Sequence, residues 1–266
     1  MGTAHTSSRK DLPSGTAAPA GQPRRKRVQA APPAAPVTTL DTPDGKITYR
    51  VEPIPAPERA RLAAGSPGIV NGICSSPKNG RPMAYPNRWI GRLMVLLEIN
   101  REVAAYETFP ERVFLALNGE PRSYAPAIRA RRRGGGTAVI DVVDGEVPPE
   151  GTPGSRALTA IYAERGWRYQ RLSRAQVSVE PRLGNAAEIL AHAYYTPPPA
   201  TERAVVGALT GRGWQAIGDL EATLPAETFV RATVLALALR GDLRADLAAA
   251  SLAAMRVRLE SWRPRG

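Results

Sequence analysis

The spacing of hydrophobic positions changes several times along this chain, and each change marks an element. Over residues 88–100 the apolar side chains Trp89, Leu93, Leu96 and Leu97 recur at helical spacing, which predicts a helix. A strand starts at residues 102–107. Residues 112–117 and 122–129 predict a hairpin around Asn118-Gly119, a pair suited to the two positive φ angles of a tight turn. Residues 137–143, TAVIDVV, are β-branched and apolar, the pattern of a buried central strand. Residues 155–165 predict a helix with Ser155 as N-cap and Gly166 just past its end. A strand follows from Trp167. Upstream, residues 45–50 predict a short strand and residues 58–64 a short helix. Residues 65–84 read as loop because glycines and prolines interrupt them.

The last third of the chain is rich in Ala and Leu. Its periodicity predicts helices over residues 185–195, from Thr201 as a cap to Thr210, and around Ile217, Leu220 and Leu224. A fourth helix is expected to open at Pro225 and to run through Leu239 to Arg240-Gly241. Two short strands, at residues 242–247 and 255–259, close the pattern. At the other end, residues 1–44 are Ala, Pro, Ser and Gly with one basic knot, Arg24-Arg25-Lys26-Arg27. Such a composition buries too little apolar surface to order itself, so a disordered tail is expected, either solvated or acting as a basic arm. Three segments result: 1–44, 45–180 and 181–266.

Charge narrows the class of partner. The 266 residues carry a net charge of +12. Residues 45–179 hold twenty basic and twelve acidic side chains, whereas residues 180–266 hold ten and nine. The excess therefore sits in the middle segment, where a polyanion such as double-stranded DNA would lie. One cysteine, Cys74, excludes a disulfide framework, and the isolated His5 and His192 offer no histidine cluster for a metal. Without a signal pattern or an apolar run of membrane-spanning length, a cytoplasmic protein that does not enter a membrane is expected.

The order helix, hairpin, strand, helix, strand from Tyr85 on, closing with GWRYQRLSRAQV, resembles the N-terminal domain of TnsA, the endonuclease subunit of heteromeric transposases, and the resemblance covers about residues 68–180. That family belongs to the PD-(D/E)xK superfamily. The resemblance implies an α/β, restriction-endonuclease-like core followed by an α-helical, winged-helix-like domain. It also implies a DDE-type transposase as partner, with an ATPase regulator as a further candidate. Family members hold a divalent cation through a helix Glu, a strand Asp and an acid two residues before a Lys. The equivalent positions here are Ile90, Ala127 and the Asp141-Val142-Val143 triplet, and Phe109 replaces the family's Gln in Tyr106-Glu107-Thr108-Phe109-Pro110.

Phosphodiester hydrolysis needs a cation that activates water, and Mg²⁺ is held by carboxylates and phosphate oxygens. The resemblance thus implies a nuclease fold with a lost or altered reaction. Asp141 is either a vestigial ligand or a strand-end polar residue. The alternative is an active endonuclease whose Mg²⁺ site is relocated to Asp141 with Glu98 or Glu107. A third reading is a protein scaffold that keeps only the fold. Four arginines beside a glycine turn, Arg129, Arg131, Arg132 and Arg133, are either a solvated tip or a grip on phosphates, with Lys78 as a further basic contact. The near-neutral C-terminal segment points to protein contact rather than to a helix entering a DNA groove.

Overall fold

The computed structural model describes residues 35–65, 69–226 and 229–260. Ala35–Gly266 forms one compact unit. Most of the expected tail, including the Arg24-Arg25-Lys26-Arg27 knot, lies outside the described residues. Its last part does not behave as a tail: Thr38–Thr42 is a strand, β1, paired antiparallel with β2 (Gly45–Pro53). Its threonines favour extended backbone, and Leu40 packs against buried apolar residues of β2 and its neighbours.

Helix α1 (Ala56–Ala64) follows. Residues 65–84, expected as loop, contain a hairpin instead, β3 (Gly72–Ser76) with β4 (Arg81–Tyr85). Here alternation outweighs the breakers, because Cys74, Ser76 and Met83 turn inward between exposed neighbours. Helix α2 (Arg88–Ile99) opens where Asn87 accepts hydrogen bonds from the Trp89 and Ile90 amides. Its buried face carries Ile90, Leu93, Met94 and Leu97, at the spacing of one helical stripe.

Next come β5 (Val103–Thr108), β6 (Glu111–Leu117) and β7 (Glu120–Tyr124). The β6–β7 turn has Asn118 at φ 53° and Gly119 at φ 85°, as the Asn-Gly pair predicts. The expected strand over residues 122–129 is two strands, β7 and β8 (Ile128–Arg132), in different sheets. Pro126 separates them because it has no N–H to give a ladder. Strand β9 (Thr137–Val143), helix α3 (Pro153–Glu164) and strand β10 (Trp167–Ser173) complete this part. Thr152, not Ser155, is the N-cap of α3, and Ser155 closes the capping box from the third helical position.

Two sheets result. One is antiparallel in the order β1-β2-β6-β7. The other runs β10-β9-β8-β5, with β10 parallel to β9 and the remaining pairs antiparallel. Alternation along β9 separates two cores. Ile140 and Val142 join the α2 cluster, and Val139 joins the cluster of α3 and the first sheet. The sheet is thus covered by α2 on one face and by α3 with the first sheet on the other.

A short 3-10 turn leads to α4 (Arg182–Ala191), α5 (Pro199–Leu209), β11 (Gln215–Ala216), α6 (Ile217–Thr223), α7 (Val230–Arg240), β12 (Leu243–Ala245) and β13 (Arg256–Leu259). Thr201 lies inside α5 and is buried rather than capping it, and α7 starts at Val230 rather than at Pro225. The three strands form one antiparallel sheet, β11-β13-β12, against the helices. Gly241, at φ 88°, ends α7 and lets β12 turn back immediately. The boundary expected near residue 180 is a packed junction. Leu190 of α4 rests on the α2 cluster, and Ile99 of α2 rests on the C-terminal core. The molecule is a mixed α/β protein with seven α-helices and four sheets among the described residues.

Candidate functional site

Strand register brings two of the sequence-predicted positions together. Ile128 of β8 pairs with Ile140 of β9, so Ala127 sits beside Asp141. The Ala127 N–H donates to Asp141 Oδ1 at 2.8 Å, and the Tyr169 hydroxyl donates to Oδ2 at 2.9 Å. Asp141 is 7% exposed. Burial pushes its carboxyl up to about 6, although both hydrogen bonds and the charge of Arg171 pull the other way. Burial also raises the Tyr169 phenol, which stays protonated and able to donate.

On its face of β9 the carboxylate neighbours Val139, which belongs to the cluster of Tyr162, with Tyr124 and Tyr169 against it. Ile90, 3% exposed, packs on the opposite face of the sheet in one cluster with Leu93, Ile128 and Ile140, against which Ala127 and Val142 also rest. Val143, two residues after Asp141 and on the same face of β9, is half-buried and apolar. Phe109 occupies a left-handed conformation at φ 46°, and its N–H donates to the Ala127 carbonyl at 3.1 Å. The segment is therefore fixed, but by backbone bonding and packing. These residues do not fit a Mg²⁺ site. One carboxylate is present, both its oxygens accept hydrogen bonds, and Ile90, Ala127 and Val143 offer no side-chain oxygen.

The carboxylates expected to relocate the site are engaged elsewhere. Glu98 is 1% exposed and accepts hydrogen bonds from the Ser76 hydroxyl, the Tyr106 hydroxyl at 2.7 Å and the Lys78 N–H at 3.2 Å. Glu107 is bound by the Arg129 guanidinium and lies 3.5 Å from Arg59. Among the described residues, no three His, Cys, Asp or Glu side chains are grouped so as to hold a metal ion.

The basic residues divide. Arg129 is an internal group, bonded to Glu107 and Glu111, with its guanidinium carbon 5.3 Å from the Trp167 ring centroid. Ile128 and Ala130 take the buried face of β8, and Arg129 shares the other face with Arg131; its carboxylate partners and Trp167 half-bury it, whereas Arg131 is exposed. Arg132 and Arg133 are exposed on the β8–β9 turn; Arg132 pairs with Glu102, and the Arg133 N–H donates to the Glu102 carbonyl at 2.7 Å. Lys78 spends its ammonium on the carbonyls of Asn100 and Val103, where it closes the C-terminal end of α2. Burial lowers its amine to about 8, with Glu98 opposing the shift and Arg133 adding to it.

One feature was invisible in the sequence. A cleft of about 1360 Å³ lies between the end of α2, the β8–β9 turn, α4 and the α7–β12 corner. Its lining joins residues 77–135 to residues 182–247, positions that only tertiary packing makes neighbours. Arginines at the ends of α4 and α7 were the available signal, and the balanced charge of the C-terminal segment concealed them. No helix among the described residues is long and apolar enough to cross a membrane. No family model matches the chain, and no curated protein matches it.

Proposed function

We propose that this protein is a DNA-binding subunit built on a TnsA-like, PD-(D/E)xK-type scaffold whose cleavage centre has been replaced by packing. It would act at DNA ends beside a recombination partner such as a DDE-type transposase, with a winged-helix-like C-terminal part. The observation that carries the reading is the Ala127–Asp141 contact. The register sets side by side the two strand positions where the resemblance implies a metal-binding pair, and only one of them is acidic. The element order α2, β5, β8, β9, α3, β10 supports the scaffold, with the β6–β7 hairpin leaving for a second sheet. The excess of basic residues over 45–179 and the exposed Arg131, Arg132 and Arg133 support a DNA backbone as ligand.

Incubation with supercoiled plasmid and Mg²⁺ or Mn²⁺, followed by electrophoresis on native and denaturing gels, tests both halves. The expected result is a mobility shift that salt weakens, with plasmid recovered supercoiled after deproteinisation. Nicked or linear product that disappears in Asp141→Ala would establish an active, relocated site. Absence of any shift at low salt would favour a scaffold that keeps the fold alone.

A further inference from the structure

The cleft beside the β8–β9 turn has an unbalanced lining: seven Lys and Arg residues against two Glu. Arg101, Arg132 and Arg133 come from one side, and Arg182, Arg240 and Arg244 from the other. Some of this charge is answered. Arg132 pairs with Glu102, and Arg240 with Glu202 and Asp242. Arg101 and Arg244 share a single carboxylate, Glu260, at 3.4 and 3.9 Å, and Arg258 holds that same group at 2.9 Å. Arg133 and Arg182 are exposed and form no ion pair with a described carboxylate at salt-bridge distance. Guanidinium groups facing each other across an open cleft repel unless an anion lies between them. The lining holds no aromatic residue, which single-strand grooves use to stack bases and protein interfaces use as anchors. What remains is a surface for a repeating, unstacked anion.

We propose that this cleft is a groove for the phosphate backbone of duplex DNA, so that the DNA path runs over both halves of the chain and not over the 45–179 segment alone. The proposal rests on the DNA-binding reading above and adds Arg182, Arg240 and Arg244 to it. Arg133 and Arg182 hold phosphates from opposite walls, each as a bidentate donor. The C-terminal part then contributes to binding despite its nearly balanced total charge, because three of its arginines, Arg182, Arg240 and Arg244, line the cleft.

Fluorescence anisotropy of a short labelled duplex, titrated at several salt concentrations, tests it. Each lost phosphate contact lowers the slope of log affinity against log salt by about 0.9. Arg133→Ala with Arg182→Ala should therefore flatten the slope by about two units, and Arg133→Lys with Arg182→Lys should keep it. Arg203→Ala with Arg212→Ala removes the same charge from exposed positions outside the cleft and should leave the slope unchanged. Thermal melting confirms that each variant is folded. If the wild type binds with a steep salt dependence that the cleft pair does not alter, the cleft is overturned while DNA binding stands. If the wild type shows no salt-dependent binding, the DNA reading fails and this proposal falls with it. Poly-glutamate that binds with the same Arg133 and Arg182 dependence, while unlabelled duplex fails to displace it, would overturn the duplex in favour of an acidic protein.

Discussion

The end of the central sheet at Asp141 and the cleft at Arg133 lie on one scaffold and are built on opposite physical terms. At Asp141 the chain buries a single carboxylate beside Val139 and Tyr169, with Ile90 packed behind it across the sheet, and satisfies both its oxygens internally. At the cleft it leaves two exposed guanidinium groups, Arg133 and Arg182, without a carboxylate at salt-bridge distance among the described residues. A packed site with its hydrogen bonds closed contributes to stability and has little left to offer a ligand. An open site with unanswered charge contributes little to stability and gains most when an anion arrives. Substitutions at the first should move the melting transition and leave DNA affinity alone, and substitutions at the second should do the reverse.

The largest expected effect is at Ile90. Ile90→Ala removes buried methyl groups from a close-packed cluster and should cost about 2–5 kcal/mol in denaturant unfolding, without altering the salt slope of DNA binding. Glu98→Ala comes next. It strands the Ser76 and Tyr106 hydroxyls and the Lys78 N–H in the interior, and a loss of about 2–3 kcal/mol is expected by the same measurement.

Asp141→Asn should act in the opposite direction. The folded protein holds the Asp141 proton more tightly than the unfolded chain, because burial lifts the carboxyl from 3.8 to about 6. Its contribution is therefore most favourable below the ordinary carboxylate value, and is lost as pH rises toward about 6. The amide removes that loss, so the variant should gain about 1–2 kcal/mol at neutral pH. Its stability should also be flatter than the wild type's between pH 4 and 6, as thermal melts across that range would read. The smallest effect on stability is at Arg133, where Ala should change unfolding by less than about 0.5 kcal/mol. A shift there as large as that at Ile90 would erase the contrast between the two regions.

Much of the fold was legible because local signals agreed with one another. The stripe of Trp89, Leu93, Leu96 and Leu97 marked α2, Gly166 marked the end of α3, and the β-branched run from Thr137 marked β9. The β3–β4 hairpin escaped because Gly72, Pro77, Gly80 and Pro82 outweighed a weak alternation built on Cys74, Ser76 and Met83. Strand β1 was hidden inside an Ala/Pro-rich composition that describes its neighbours and not its own threonines. Of the site, the pairing of Ala127 with Asp141 was accessible, since strand order and motif spacing set it. The half-buried place of Arg129 was not legible, because exposed Arg131 shares its face of β8 and the difference comes from Glu107 across the strand and Glu111 from the other sheet. Lys78 and Glu98 were singled out as surface and metal-site candidates and proved to be parts of one buried network. The cleft was out of reach: its walls come from segments some hundred residues apart, and the sum of charges over residues 180–266 says nothing about which face carries them.

The central claim is that the Asp141 end of the sheet is a packed remnant rather than a cation site. Calorimetric titration of the wild type and Asp141→Ala with Mn²⁺ tests it most directly. The account predicts no saturable binding that distinguishes the two proteins. A saturable Mn²⁺ site in the wild type that vanishes in Asp141→Ala would contradict it.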